Sequence, residues 1–296
     1  MEEGFPRNTP KRRRPFLRGC LMVVLVLAAF FLLLLGISRM DGFSLSMGGK
    51  VAVLPISGMI SDSEQVIEQM KRFGKDNAVK AIVLRINSPG GGVAPSQEIY
   101  EEVRKLNAKK PVLTSMGTIA ASGGYYIASA TRKVYANPGT MTGSIGVVMP
   151  FVNVKDLVEK IGLKGMAVKS GEFKDIGSPL REMTPEDRQV LQSVVDNVHL
   201  QFVNAVAAGR KLPREDVLKI ADGRIFTGEQ AKALRLVDAL GNLEDTVADA
   251  AKMGGISGEP KVVTPPKSKI SMLEFLREEM RSMIEGKMGG DPLHLN

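Results

Sequence analysis

The chain has 296 residues, 44% of them apolar and 24% charged, with a formal charge of +8, which is material for one large domain or two small ones. The charge does not mark a nucleic-acid binder: residues 1–18 hold six Lys/Arg against Glu2 and Glu3, so +4 of the +8 lies in that arm and the rest is spread thinly. With only His199, His294 and Cys20 as soft ligands, a dedicated metal site and an internal disulfide are both excluded.

In chain order, the basic arm (1–19) precedes a run from Cys20 to Ile37 without a charged residue. As an α-helix that run would cover roughly 27 Å, close to the thickness of a hydrocarbon core. It predicts a single-pass anchor over 20–38, and the excess of Arg and Lys before it places the arm in the cytoplasm and the remainder outside. A cleaved secretory signal is the rival reading, since Gly36 and Ser38 fit a small-x-small cleavage pattern. The arm suits anionic lipid. Cys20 begins the apolar run rather than ending it, which argues against a lipid attachment site.

A Gly/Ser-rich linker (39–49) leads into the main domain, expected over 50–264. Strands are predicted at 50–58 and 79–87, with a helix between them over 62–73 from the spacing of Val66, Ile67, Met70 and Phe73. After the breaker "SPGGG" come a helix at 95–107, a strand at 111–116, a small-residue helix at 121–130, and strands at 133–138 and 143–150. A helix over 154–162 and a strand over 164–170 continue an alternation that reads as an α/β domain with a largely parallel sheet. From Thr184, a good N-cap before Pro185, the chain turns helical: one long helix closed by Gly209, then helices at 214–221, 228–240 and 242–253. The tail (265–296) carries an amphipathic segment suited to contacting a partner.

Which residues do chemistry is settled partly by elimination. The glycines of "SPGGGVAPS" lack the Lys-Ser/Thr of a phosphate loop, so no nucleotide or other cofactor is implied. A serine triad lacks its base, because His294 is three residues from the end and His199 sits among packing residues of the long helix. Ser122, between small residues and followed by Gly123 and Gly124, is the candidate nucleophile, with its hydroxyl at the start of a helix. A desolvated lysine can replace histidine as base. Lys174, in the irregular stretch "VKSGEFKDIGSP", is the candidate, although on composition most lysines are surface groups. Taken alone, "SPGGG" reads as a surface turn and "GSIG" as a strand-edge turn.

The ordered set "INSPGGG" (86–92), "ASGGYYIASA" (121–130), "TGSIGVV" (142–148) and "SGEFKDIGSP" (170–179) resembles the signal peptide peptidase A family of membrane-bound serine peptidases, in its short single-domain form. The resemblance covers roughly residues 50–255. It implies a fold like that of the caseinolytic protease and crotonase relatives, with Ser122 as nucleophile, Lys174 as general base and Ser144 orienting the lysine. The oxyanion amides would come from Gly123 and from a glycine of the 90–92 run, matched to Gly91. It further implies a ring- or dome-shaped homo-oligomer at a bacterial inner membrane, its catalytic domain outside, cutting remnant signal peptides after signal peptidase releases them. Two other classes stay open: a non-catalytic membrane scaffold whose cavity binds peptides or acyl groups, and an acyl-coenzyme A enzyme using "SPGGG" for a thioester oxyanion.

Overall fold

The computed structural model describes residues 26–31 and 49–266. The basic arm, most of the apolar run, nearly all of the linker and the amphipathic tail therefore lie outside the described residues. Residues 26–31 are helical and fall in a unit (Met1–Met47) separate from the main one (Gly48–Asn296). Among the described residues no helix is long and apolar enough to cross a membrane.

The main unit is built on an eight-stranded sheet. Its strands are β1 (Lys50–Ile60), β2 (Val79–Gly91), β3 (Val112–Ala121), β4 (Lys133–Ala136), β5 (Met141–Gly143), β6 (Ile225–Thr227), β7 (Ala239–Leu240) and β8 (Lys261–Val263). The order is β6-β5-β3-β2-β1-β8, with β4 beside β3 and β7 beside β4. Every pairing is parallel except β5 with β6. The fold is thus mixed α/β with a largely parallel sheet, as the alternation of short apolar runs and helical periods predicts.

Alternate residues of β1 and β2 enter different cores. Ala52, Leu54, Ile82, Leu84 and Ile86 face helices α1 (Glu64–Lys75), α2 (Val93–Asn107), α3 (Gly123–Ser129) and the second half of α5 (Pro185–Arg210). Val51, Val53, Ala81 and Val83 face α8 (Leu243–Met253). Burial on both faces explains why these strands read as continuous apolar runs rather than alternating ones. Between them in sequence come α4 (Lys155–Lys160), a 3-10 turn (Glu172–Asp175), α6 (Arg214–Leu218) and α7 (Gly228–Ala233).

Three expected elements differ. The strand at 143–150 ends at Gly143, because Ser144 takes a left-handed backbone (φ 50°) that a strand cannot continue through. The strand at 164–170 is not formed: Met166 and Val168 are fully exposed and no described strand runs alongside. The helix at 228–240 stops at Ala233, Arg235 turns left-handed (φ 61°), and Ala239–Leu240 joins the sheet instead.

Candidate active site

The carboxyl ends of β2, β3 and β5 converge at one edge of the sheet, where open parallel sheets commonly bind ligands. Each of the three strands ends in a piece of unusual backbone. β2 runs into Gly90 (φ 110°) and Gly91, β3 into Ser122 (φ 51°, ψ −122°), and β5 into Gly143 (φ 82°) and Ser144 (φ 50°). A non-glycine residue in such a conformation stores on the order of 1–3 kcal/mol of strain and persists only where the surroundings enforce it.

For Ser122 the enforcement is visible. Its N–H donates to Gly143 O (2.9 Å) and its carbonyl accepts from Tyr126 N (2.8 Å), so it is pinned between β5 and the first turn of α3. The result is a half-buried serine on a tight strand-to-helix elbow, a placement that presents a hydroxyl at the top of a sheet. Ser122 Oγ and Ser144 Oγ make no hydrogen bond to any described residue.

The glycines around it are required by space. A Cβ on Gly90 would lie 2.7 Å from Ser122 Cβ, and one on Gly91 would lie 2.3 Å from Ile60 O. A Cβ on Gly123 would meet Ser96 Oγ at 2.4 Å and approach Gly91 N to 3.4 Å. The amides of Gly91 and Gly123 are therefore near neighbours beside Ser122, as a pair of oxyanion donors must be. Buried Ser96 fixes its own hydroxyl on Gly92 O (2.8 Å) and ties this turn to α2.

These residues open into a cavity of about 420 Å³ lined by Gly91, Ser122, Gly123 and Ser144 together with apolar side chains, among them Val93, Val148 and Phe202. Tyr126 forms one wall, its ring edge-on to Tyr100 (4.9 Å) and 4.8 Å from Phe202. Burial pushes the Tyr126 phenol above its usual range, so it stays neutral. The Asp222–Gly223 loop forms the rim: Gly223 N donates to Ile145 O (3.1 Å), and Arg224 O accepts from Ser144 N (2.9 Å). The sequence reading missed this loop, as it missed Tyr126 and the α5 residues, because only the fold brings them to Ser122; the Asp-Gly pair before β6 marked a turn and nothing more.

The profile of peptidase family S49 matches residues 104–257 and that of Clp protease matches residues 52–142. The chain belongs to peptidase family S49. A Synechocystis relative named "Putative protease slr0021" is 40% identical over 250 residues, 84% of this chain and 86% of that protein. An Enterococcus faecium protein named "Putative signal peptide peptidase SppA" is 37% identical, covering 69% of this chain and 63% of its own length. "Protease 4" of Salmonella typhi is 39% identical over 70% of this chain, which spans only 35% of that longer protein. As a family S49 member the protein is a serine peptidase, a hydrolase of peptide bonds.

One expected member of the site does not lie at this cavity. Lys174 lies in the 3-10 turn Glu172–Asp175, is exposed, and is absent from the residues lining the Ser122 cavity. Its ammonium makes no hydrogen bond to any described residue, whereas neighbouring Lys169 donates to Asp175 Oδ1 (2.7 Å) and Glu172 O (2.8 Å). Of the two, Lys174 is the uncommitted one. Asp222, the carboxylate among the residues lining the cavity, is not a substitute base. Asp222 is gripped by Arg224, with Nε 2.7 Å from Oδ1, and its pKa is held down to about 2. His199 is half-buried on α5 with Nε2 unpartnered among the described residues, and it does not line the cavity. Among the described residues no cluster of His, Cys, Asp and Glu could hold a metal ion.

Proposed function

We propose that the chain is a membrane-anchored serine endopeptidase working through a Ser122–Lys174 dyad. Ser122 Oγ attacks a peptide carbonyl, the neutral amine of Lys174 takes its proton, and Ser144 orients the lysine. The amides of Gly91 and Gly123 hold the oxyanion, and water releases the acyl group. The observation that carries this is the strained Ser122 elbow, with two glycine amides beside it and in front a cavity walled in part by valines and aromatic rings.

Lys174 completes the site from a second copy of the chain. Among the described residues no lysine or histidine lines the Ser122 cavity, while Lys174 is exposed on its own chain. Burial against a neighbour would supply the desolvation that a lysine base needs. The substrates are remnant signal peptides: the cavity's valines and aromatic rings suit apolar side chains, and the Enterococcus relative is named for that class. Anchoring through 20–38 would hold the site near such segments, outside the cytoplasm.

The test uses the full chain in detergent with a fluorogenic apolar peptide. Ser122→Ala and Lys174→Ala are each expected to lose on the order of 10³-fold or more in kcat/KM while keeping wild-type circular dichroism. Co-assembling the two inactive variants should recover roughly a quarter of the wild-type sites if each dyad spans a head-to-tail interface. A mixture as inactive as its parents would exclude a shared dyad, and an active Lys174→Ala would exclude the base.

A further inference from the structure

We infer that Arg181 is a positioning residue for Lys174, locking the turn that carries the lysine onto the first turn of α5, the helix whose far end walls the Ser122 cavity. The inference rests on the assignment of Lys174 as the general base.

A four-residue 3-10 turn is a weak platform for a base. The backbone bonds of Glu172–Asp175 are Lys174 N to Gly171 O (3.2 Å), Ile176 N to Phe173 O (3.1 Å) and Ser178 N to Asp175 O (3.0 Å), and none of its residues is buried. What holds it is the guanidinium of Arg181. Nε and Nη2 each donate to one oxygen of Asp175 (3.0 Å both), the residue directly after Lys174. Nη1 donates to Glu182 O (2.9 Å) and to Asp187 Oδ2.

Asp187 is the fixed point. It is buried, it accepts from Thr184 N (3.1 Å), and its own N–H donates to Thr184 Oγ1 (3.0 Å), so it closes the capping box of α5. Lys169 also donates to Asp175 Oδ1 (2.7 Å), the oxygen that Arg181 Nη2 shares. The charged groups at this turn are therefore Lys169, Glu172, Asp175, Arg181 and Glu182, with Asp187 from α5. Arg181 is the group that touches both the lysine's neighbour and the helix. A planar fork holds one carboxylate through two parallel bonds and still reaches a second, a fixed orientation that a point-like ammonium does not reproduce. Further along α5, Val198 and Phe202 line the Ser122 cavity. Lysine turn, arginine and helix cap thus form one connected unit at the start of α5.

The experiment measures pH profiles of kcat and KM for the full-length, assembled Arg181→Gln, Arg181→Lys, Asp175→Asn and Arg181→Gln/Asp175→Asn variants, beside Lys174→Ala. Arg181→Gln should lower kcat about 10- to 100-fold with KM within about twofold, the scale of a misplaced catalytic group. It should also move the acid limb of kcat/KM to higher pH. Without Arg181, the Asp175 carboxylate favours protonated Lys174, so a higher pH is needed to free the amine. Adding Asp175→Asn should bring the limb back towards or below its wild-type position without restoring kcat. Arg181→Lys, keeping the charge but not the fork, should lower kcat with the limb nearly in place. Should Arg181→Gln fail to fold, Asp175→Asn alone, which leaves Arg181 on Asp187, should still lower kcat. A wild-type kcat and limb in Arg181→Gln beside an inactive Lys174→Ala overturns the inference alone. A fall in kcat with no movement of the limb in any variant reduces Arg181 to scaffolding. An active Lys174→Ala overturns the base assignment and this inference with it.

Discussion

A methyl group on Gly90 would press on Ser122 Cβ at 2.7 Å and on Gly123 N at 2.9 Å, and its φ of 110° is one that side chains rarely adopt. Gly90→Ala is therefore expected to displace the serine and an oxyanion amide together, lowering kcat on the order of 10²-fold or more, as loss of one such donor does. Gly58 is the control: it also has positive φ (73°), but nothing lies within 4 Å of an added Cβ. Gly58→Ala should cost about 1 kcal/mol of stability from backbone strain and leave kcat intact. Equal kinetic damage from both substitutions would mean that Gly90 has no special relation to Ser122. At this scale the sequence was informative where chemistry concentrates in short motifs. Ser122, Gly123, Gly91 and Ser144 stand in contiguous words, and the fold brings all four to one cavity. Asp222 and Phe202 line the same cavity but carry no local signature, and Tyr126, although inside "ASGGYYIASA", shows its role as a wall only once strand ends and helices meet there.

Among the elements, α5 shows how a correct prediction can rest on a wrong reason. Its start was legible, because Thr184, Pro185 and Asp187 form a capping box with proline at the first position. Its end was read from Gly209, yet the helix runs to Arg210 and is closed by Lys211 in a left-handed conformation (φ 53°). Gly209 is there for packing: a Cβ would fall 2.0 Å from Ser129 O at the end of α3. Gly209→Ala should push α5 away from α3 and destabilise the domain by about 1–3 kcal/mol, as overpacking does. The denaturation midpoint reads this directly, and an unchanged or higher midpoint would show the glycine to be dispensable. Composition does not distinguish a capping glycine from a packing one. Likewise β-branched residues alone do not make a strand: Val147 and Val148 follow a left-handed serine, and Val148 is exposed with no ladder to join.

On the scale of the whole molecule, the chain has a finished half and an uncovered half. The sheet and the helices against it are close-packed, while Val152, Leu157, Ile161, Leu163, Met166 and Val168 are exposed along one connected stretch. In α5 no residue before Phe202 is buried except Asp187. Under the proposed assembly this apolar stretch is what a neighbouring copy would cover, and a segment with little packing of its own opens at lower free energy than the core. Heating should therefore abolish activity before the sheet melts, and the inactivation midpoint, unlike a unimolecular one, should rise with protein concentration. Residual activity compared with far-ultraviolet circular dichroism over a hundredfold concentration range tests this. Coincident, concentration-independent transitions would count against a stabilising neighbour.

The separation of Lys174 from the Ser122 cavity has a further consequence for the life of the protein. Under the proposed mechanism a newly made copy holds a nucleophile that nothing can deprotonate, so it has no means of cutting its neighbours or itself while it folds. Some proteases are held off by a pro-segment over that interval. Here the wait for company would do the same, and the enzyme would switch on only where its copies accumulate.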